Sequence, residues 1–107
     1  MSKPESKEGN KMKIFDKAQW HIDAGEKTAD VLKKFQCVFD FLEIHNMLNT
    51  NGKEIYTFGI DSSISLNENM LTKSGVQFLE KYYDTVINCT PDTIGDALKK
   101  QYQMYTE

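Results

Sequence analysis

The stretch TADVLKKFQCVFDFLEIHNM, residues 28–47, decides how this chain folds. Val31, Phe35, Val38 and Leu42 follow one another at spacings of four, three and four, with Leu32 and Phe39 on the same side. That is the period at which an α-helix returns a side chain to the same face. A second stripe, Cys37, Phe41, Ile44 and Leu48, covers an adjacent face, so only Lys33, Gln36, Asp40 and Glu43 remain as a narrow polar strip. A helix apolar over most of its girth has to lie at the centre of the fold. The pattern predicts a central helix from about Thr28 to Met47, capped by Thr28 or Asp30 and ended at Asn46 or Asn49.

Working outward, an internal echo follows at once. Leu48-Asn49-Thr50-Asn51-Gly52-Lys53-Glu54-Ile55 and Leu71-Thr72-Lys73-Ser74-Gly75-Val76-Gln77-Phe78 share the pattern Leu-[Asn/Thr]-x-x-Gly-x-x-apolar, 23 residues apart. Both read as helix starts: Asn49 and Thr72 carry oxygens for the free amides of a first turn, and Gly52 and Gly75 keep that turn slim enough to pack closely. Two copies are too few for a solenoid, so the echo is recurring cap chemistry. The first copy predicts a short helix, about Thr50 to Phe58, ended by Gly59. The second opens a longer one, Thr72 to Asn88, with Val76, Leu79, Tyr83 and Val86 as its stripe. Thr90-Pro91-Asp92-Thr93 supplies a cap candidate, a first-turn proline and an acid for a last helix from Pro91 to about Tyr105.

The remaining segments are less regular. Ile64 and Leu66 alternate weakly with serines as a strand does, and the available partners for so short a strand are the Ile14 segment or another chain. Ile14 to Ile22 concentrates apolar and aromatic residues before the turn signal Asp23-Ala24-Gly25-Glu26 and reads as an ordered lead-in with one helical turn. Residues 1–12 carry no periodic apolar signal and read as a disordered tail. The expected fold is therefore mainly α. It is a single helical domain, 13–107, of three long helices plus one short one, with an irregular or weakly β connection.

Composition narrows the function classes. A chain of 107 residues, 39% hydrophobic and 27% charged, supports one core and no second domain. No apolar run approaches the length of a membrane span, and Met1 to Glu5 offers no signal-peptide core, so a cytoplasmic protein with no membrane contact is expected. All 13 basic residues are lysine, against 16 acids. The absence of arginine removes the bidentate fork that reads guanine and clamps phosphate. From Gln36 to Thr72, Asp40, Glu43, Glu54, Asp61 and Glu68 face Lys53 alone. Such a stretch repels nucleic acid and steers a basic partner, unless it is no more than a solvated face. Cys37 and Cys89 lie in apolar patterns without metal or redox spacing and read as buried free thiols.

Groups able to do chemistry are few. His45 continues the Val38 and Leu42 stripe and reads as structural. His21 has Trp20, Asp23 and Glu26 close in sequence, the residue types of a metal or acid–base site, but no accompanying ligand motif, so packing or partner contact is the simpler reading. There is no Gly-x-Ser-x-Gly, no reactive cysteine motif and no P-loop. No catalytic residue, metal or cofactor is expected. Short helices followed by a Leu-Thr-x-x-Gly start also occur in winged-helix regulators, but such a module needs a basic recognition helix, and Thr72 to Asn88 sets two lysines against Glu80 and Asp84. Trp20, Tyr82, Tyr83, Tyr102 and Tyr105 suit interfaces if exposed and core edges if not.

The Trp20-His21 pair after an aromatic lead-in, followed by a Phe-rich helix closing on Asn46-Met47-Leu48, resembles small uncharacterised bacterial proteins of a Trp-His type, over residues 15 to 87. The resemblance lies in patterning and transfers no functional residues. It implies an immunity partner of a secreted toxin. The expected function is a small protein-binding module, an immunity-type inhibitor that meets a basic partner through Asp40, Glu43, Glu54, Asp61, Glu68, Trp20 and His21. The alternative is a winged-helix-like DNA-binding regulator. The Ile64 to Leu66 segment or the last helix also offers a surface on which copies of the chain could associate.

Overall fold

A computed structural model describes residues 12–106, and the tail expected at 1–12 lies, but for Met12, outside them. The order is β1 (Ile14–Lys17), α1 (Ala18–Asp23), α2 (Thr28–Ile44), α3 (Thr50–Phe58), β2 (Ser65–Asn67), a 3₁₀ turn (Glu68–Met70), α4 (Lys73–Val86) and α5 (Ile94–Thr106). The mainly helical reading holds. The count of helices changes, because the lead-in contains α1 as a separate short helix and the connection contains a strand.

α2 is central, as its all-round apolar pattern requires. Val31, Phe35, Val38, Phe39 and Leu42 are buried, and the helix packs against α1 and α5. It stops three residues earlier than expected, at Ile44, because the chain turns through His45 and Asn46, which takes the left-handed φ of 58°. Asparagine tolerates that conformation better than most residues. Ile44, the last residue of α2, is exposed instead of completing the second stripe. Neither Thr28 nor Asp30 is the cap: Lys27 occupies the N-cap position without a side-chain hydrogen bond, and Asp30 lies in the first turn. Phe78 of α4 ties the layers together, its ring lying 5.4 Å from Phe41 of α2 and 5.4 Å from Tyr105 of α5. Tyr82 and Tyr83 are buried and Tyr102 and Tyr105 partly so, which makes the tyrosines core edges. Residues 91–93 form a turn that feeds α5, which starts at Ile94 and not at Pro91.

Both helix starts of the echo form as read. The Asn49 side chain accepts the Gly52 amide at 2.9 Å, and the Thr72 hydroxyl accepts the Gly75 amide at 3.1 Å. The two copies also face one another. Leu48 and Leu71 form an antiparallel bridge in which the Asn49 amide donates to the Met70 carbonyl at 3.1 Å and the Thr72 amide to the Met47 carbonyl at 2.9 Å. A Cβ on Gly52 would stand 2.1 Å from the Met70 oxygen, and one on Gly75 would stand 2.7 Å from the Met47 oxygen. Each glycine thus admits the carbonyl that precedes the other copy's leucine.

The weak strand at Ser65–Asn67 finds its partner within the chain. It pairs antiparallel with β1, Asp16 opposite Leu66 and Lys17 opposite Ser65, with an irregularity between Ile14 and Asp16. Some fifty residues separate these strands, so the pairing forms only once the helices between them have folded back.

Candidate functional site

Asp16, on β1, is a carboxylate 1% exposed in the middle of an apolar segment. Such a group costs several kcal/mol to bury unless its oxygens are matched by donors. They are. His21 Nε2 lies 2.8 Å from both carboxylate oxygens, the Tyr83 hydroxyl donates to Oδ2 at 2.6 Å, and the Lys17 amide donates to Oδ1 at 2.9 Å. One turn of α1 carries His21 inward from the strand end. The chain then reverses at Gly25, whose φ of 99° suits glycine, and the Glu26 amide donates back to the His21 carbonyl at 3.1 Å. That reversal sets the Glu26 carboxylate 2.9 Å from His21 Nδ1. Lys34 of α2, itself buried, stands 3.7 Å from Glu26 and donates to the Ile87 carbonyl at 3.1 Å.

An imidazole between two carboxylates is favoured as the doubly donating cation. Burial opposes that charge, and Lys34 adds to the opposition. The hydrogen bonds to Asp16 and Glu26, together with the Asp16 charge, outweigh both and keep the His21 pKa above its ordinary value. The hydrogen bond from His21 holds the Glu26 carboxyl below its ordinary range. Burial, then the Asp16 charge and hydrogen bond, push the Tyr83 phenol well up. Both ring nitrogens of His21 are already engaged, Nε2 by Asp16 and Nδ1 by Glu26. His21 is buried, in contrast to its neighbour Trp20, which is 51% exposed with the Lys17 ammonium 5.9 Å from its ring centre. Asp23, near His21 in sequence, instead accepts from Gln19 at 2.7 Å. Among the described residues no three His, Cys, Asp or Glu side chains are grouped to hold a metal. Cys37 and Cys89 are free, and both are half-buried instead of buried.

The five acids of the middle segment stand in three settings. Asp40 accepts from Gln36 at 3.0 Å and from the Tyr56 hydroxyl at 2.6 Å, a bond that raises the Tyr56 pKa. Glu43, half-buried on the same helix, leaves Oε1 buried with no hydrogen-bond partner among the described residues. Glu68 is engaged at the sheet, accepting the Lys13 amide at 2.7 Å. Glu54 and Asp61 are both exposed and line one cleft of about 520 Å³ between α3 and the segment leading into β2. Asp61 is pre-set there: the Ser63 amide and hydroxyl donate to its Oδ1 at 2.9 and 2.5 Å and hold its carboxyl below the ordinary range. Phe58, at the last position of α3 before Gly59, lines the same cleft and is 91% exposed.

Sequence reading missed two of these residues. Phe58 was only the end of a short helix, and its exposure depends on how lightly α3 is attached, chiefly through the 3₁₀ turn. Asp16 gave one signal, an acid inside an apolar lead-in, but its partners come from α1 and α4. Comparison with protein-family models, curated proteins and solved structures finds no match for this chain.

Proposed function

We propose that this chain is a small cytoplasmic protein-binding module, an inhibitor of the immunity type, and that it works by docking a basic partner and not by catalysis. The observation that carries the reading is the face on which exposed Glu54 and Asp61 flank a nearly fully exposed Phe58. Acidic groups around an apolar anchor suit a partner of opposite charge, with the charges steering the encounter and the ring supplying buried area. Trp20, 51% exposed, is a second aromatic side chain open to a partner. Among the described residues no helix is long and apolar enough to cross a membrane, which fits a partner met in solution. The alternative of a DNA-binding regulator draws no support from α4, where Lys73 and Lys81 are offset by Glu80 and Asp84.

The test is affinity capture from the source cell's lysate at low and high salt, with the wild-type chain beside a variant carrying Asp40→Asn, Glu43→Gln, Glu54→Gln, Asp61→Asn and Glu68→Gln. A basic protein held by the wild type, lost as salt rises and lost on neutralisation, is the expected result. Capture that survives neutralisation unchanged removes the acidic surface from the reading. Retention of duplex DNA with a steep salt dependence transfers it to the regulator alternative.

A further inference from the structure

Granting a basic partner as proposed above, we propose that the cleft between α3 and residues 59–65 receives a single arginine side chain of that partner, its guanidinium held by Asp61 and Glu54 and stacked on Phe58. The lining divides by chemistry. Ile55, Ile64 and Met70 give it apolar walls, and among the described residues Glu54 and Asp61 are the only charged ones lining it. A concave, partly apolar wall focuses the field of two like charges more than a flat wet surface does. Its volume, about 520 Å³, suits a ligand the size of a long side chain with its flanking backbone.

Three features single out arginine among cations. Ser63 donates two hydrogen bonds to Asp61 Oδ1 and so orients the carboxylate, while among the described residues Asp61 Oδ2 and both Glu54 oxygens accept from no side chain, which leaves Glu54 able to meet a planar fork with both oxygens. Among the described residues neither Asp61 nor Glu54 is paired with a lysine, and Phe58 stacks on no other ring. Both carboxylates and the ring face thus keep their capacity for an incoming cation. An arginine uses all three at once: its methylene stem covers the apolar walls, its fork meets a carboxylate, and its delocalised plane lies on an aromatic face. The chain itself contains no arginine, so no copy of it can supply this group.

The experiment is an amide-resolved NMR titration of the full chain with three capped peptides, acetyl-Leu-Arg-Leu-amide and its lysine and citrulline counterparts. The arginine peptide is expected to shift amides across residues 51–67 and to bind at least fivefold more tightly than the citrulline peptide. That preference is expected to vanish in the Glu54→Gln, Asp61→Asn double variant, whose amide spectrum away from residues 51–67 checks that the fold is kept. Phe58→Ala should weaken the arginine peptide more than the lysine peptide. Equal binding of arginine and citrulline peptides, equal binding of arginine and lysine peptides, or shifts confined to the surroundings of Asp40 and Glu68, would each overturn the proposal. The two readings fail separately. A basic protein captured through Asp40, Glu43 or Glu68 while the arginine peptide leaves the cleft unshifted sinks the cleft alone. Arginine-selective shifts in the cleft with no basic protein captured sink the partner reading and leave the cleft's chemistry standing.

Discussion

The junction of the two helix starts and the cluster around His21 both join distant parts of the chain, but by different physics. At the junction the contacts are neutral and made by backbone: two capped first turns, two reciprocal amide–carbonyl bonds, and two glycines against carbonyl oxygens. At His21 they are charged and made by side chains, with two carboxylates, an imidazolium, a phenol and an ammonium from β1, α1, α2, α4 and the turn after α1. The first has little room for added volume and contains no titrating group. The second depends on each charge having its partner and contains groups that titrate.

Breaking the charged cluster should have the largest effect. His21→Ala leaves Asp16 buried opposite an empty space, and urea unfolding should show a loss of about 3–5 kcal/mol, as for one partner removed from a buried ion pair. Tyr83→Phe removes one donor from the same carboxylate but leaves His21 in place. It should cost roughly 1.5–3 kcal/mol in the same measurement, and a loss below about 0.5 kcal/mol would show that Asp16 does not need the phenol.

Adding volume at the junction should come next. Gly52→Ala forces the Met70 carbonyl aside and should cost about 1–3 kcal/mol in thermal unfolding, with Gly75→Ala costing less because its clearance is greater. If the order reverses, the two starts are not the reciprocal pair their geometry indicates. Loss of the cap alone, in Thr72→Ala, should cost roughly 1 kcal/mol.

Titration separates the regions most finely. The His21 pKa is raised on folding, so its stabilising contribution is complete below the unfolded value of about 6.5 and disappears as pH rises through the higher folded value. His45 behaves oppositely. Burial beside Tyr102, with ring centres 3.9 Å apart, lowers its pKa, so protonation in the unfolded chain costs stability as pH falls below about 6.5. Stability measured from pH 5 to 9 should therefore fall more gently with pH in His21→Gln than in the wild type, and more steeply in His45→Gln. The junction variants should keep the wild-type profile, displaced to lower stability at every pH.

These regions also differ in how far they could be read in advance. The helix starts were legible because cap chemistry is local: an oxygen-bearing side chain and a glycine three residues on suffice to specify a first turn. Their mutual contact was not, since nothing in either copy says that Leu48 will lie beside Leu71. For His21, the nearby acids in sequence were Asp23 and Glu26, and only Glu26 is a partner. Asp16 reaches the ring because β1 leads straight into α1, and Tyr83 reaches Asp16 because α4 packs on β1. The acidic middle segment was legible as composition, while its division into engaged and free carboxylates was not.

What the sequence by itself determined is what depends on neighbours a few residues away: helical periods in α2, α4 and α5, the caps at Asn49 and Thr72, and the excess of acid between Gln36 and Thr72. The tertiary structure decided which of those groups meet. Pairing β1 with β2, setting the two glycines against foreign carbonyls and bringing the Tyr83 hydroxyl to Asp16 all join residues far apart in the chain. Such contacts form only after the apolar faces have packed, because each needs the chain's closure entropy already met by burial elsewhere.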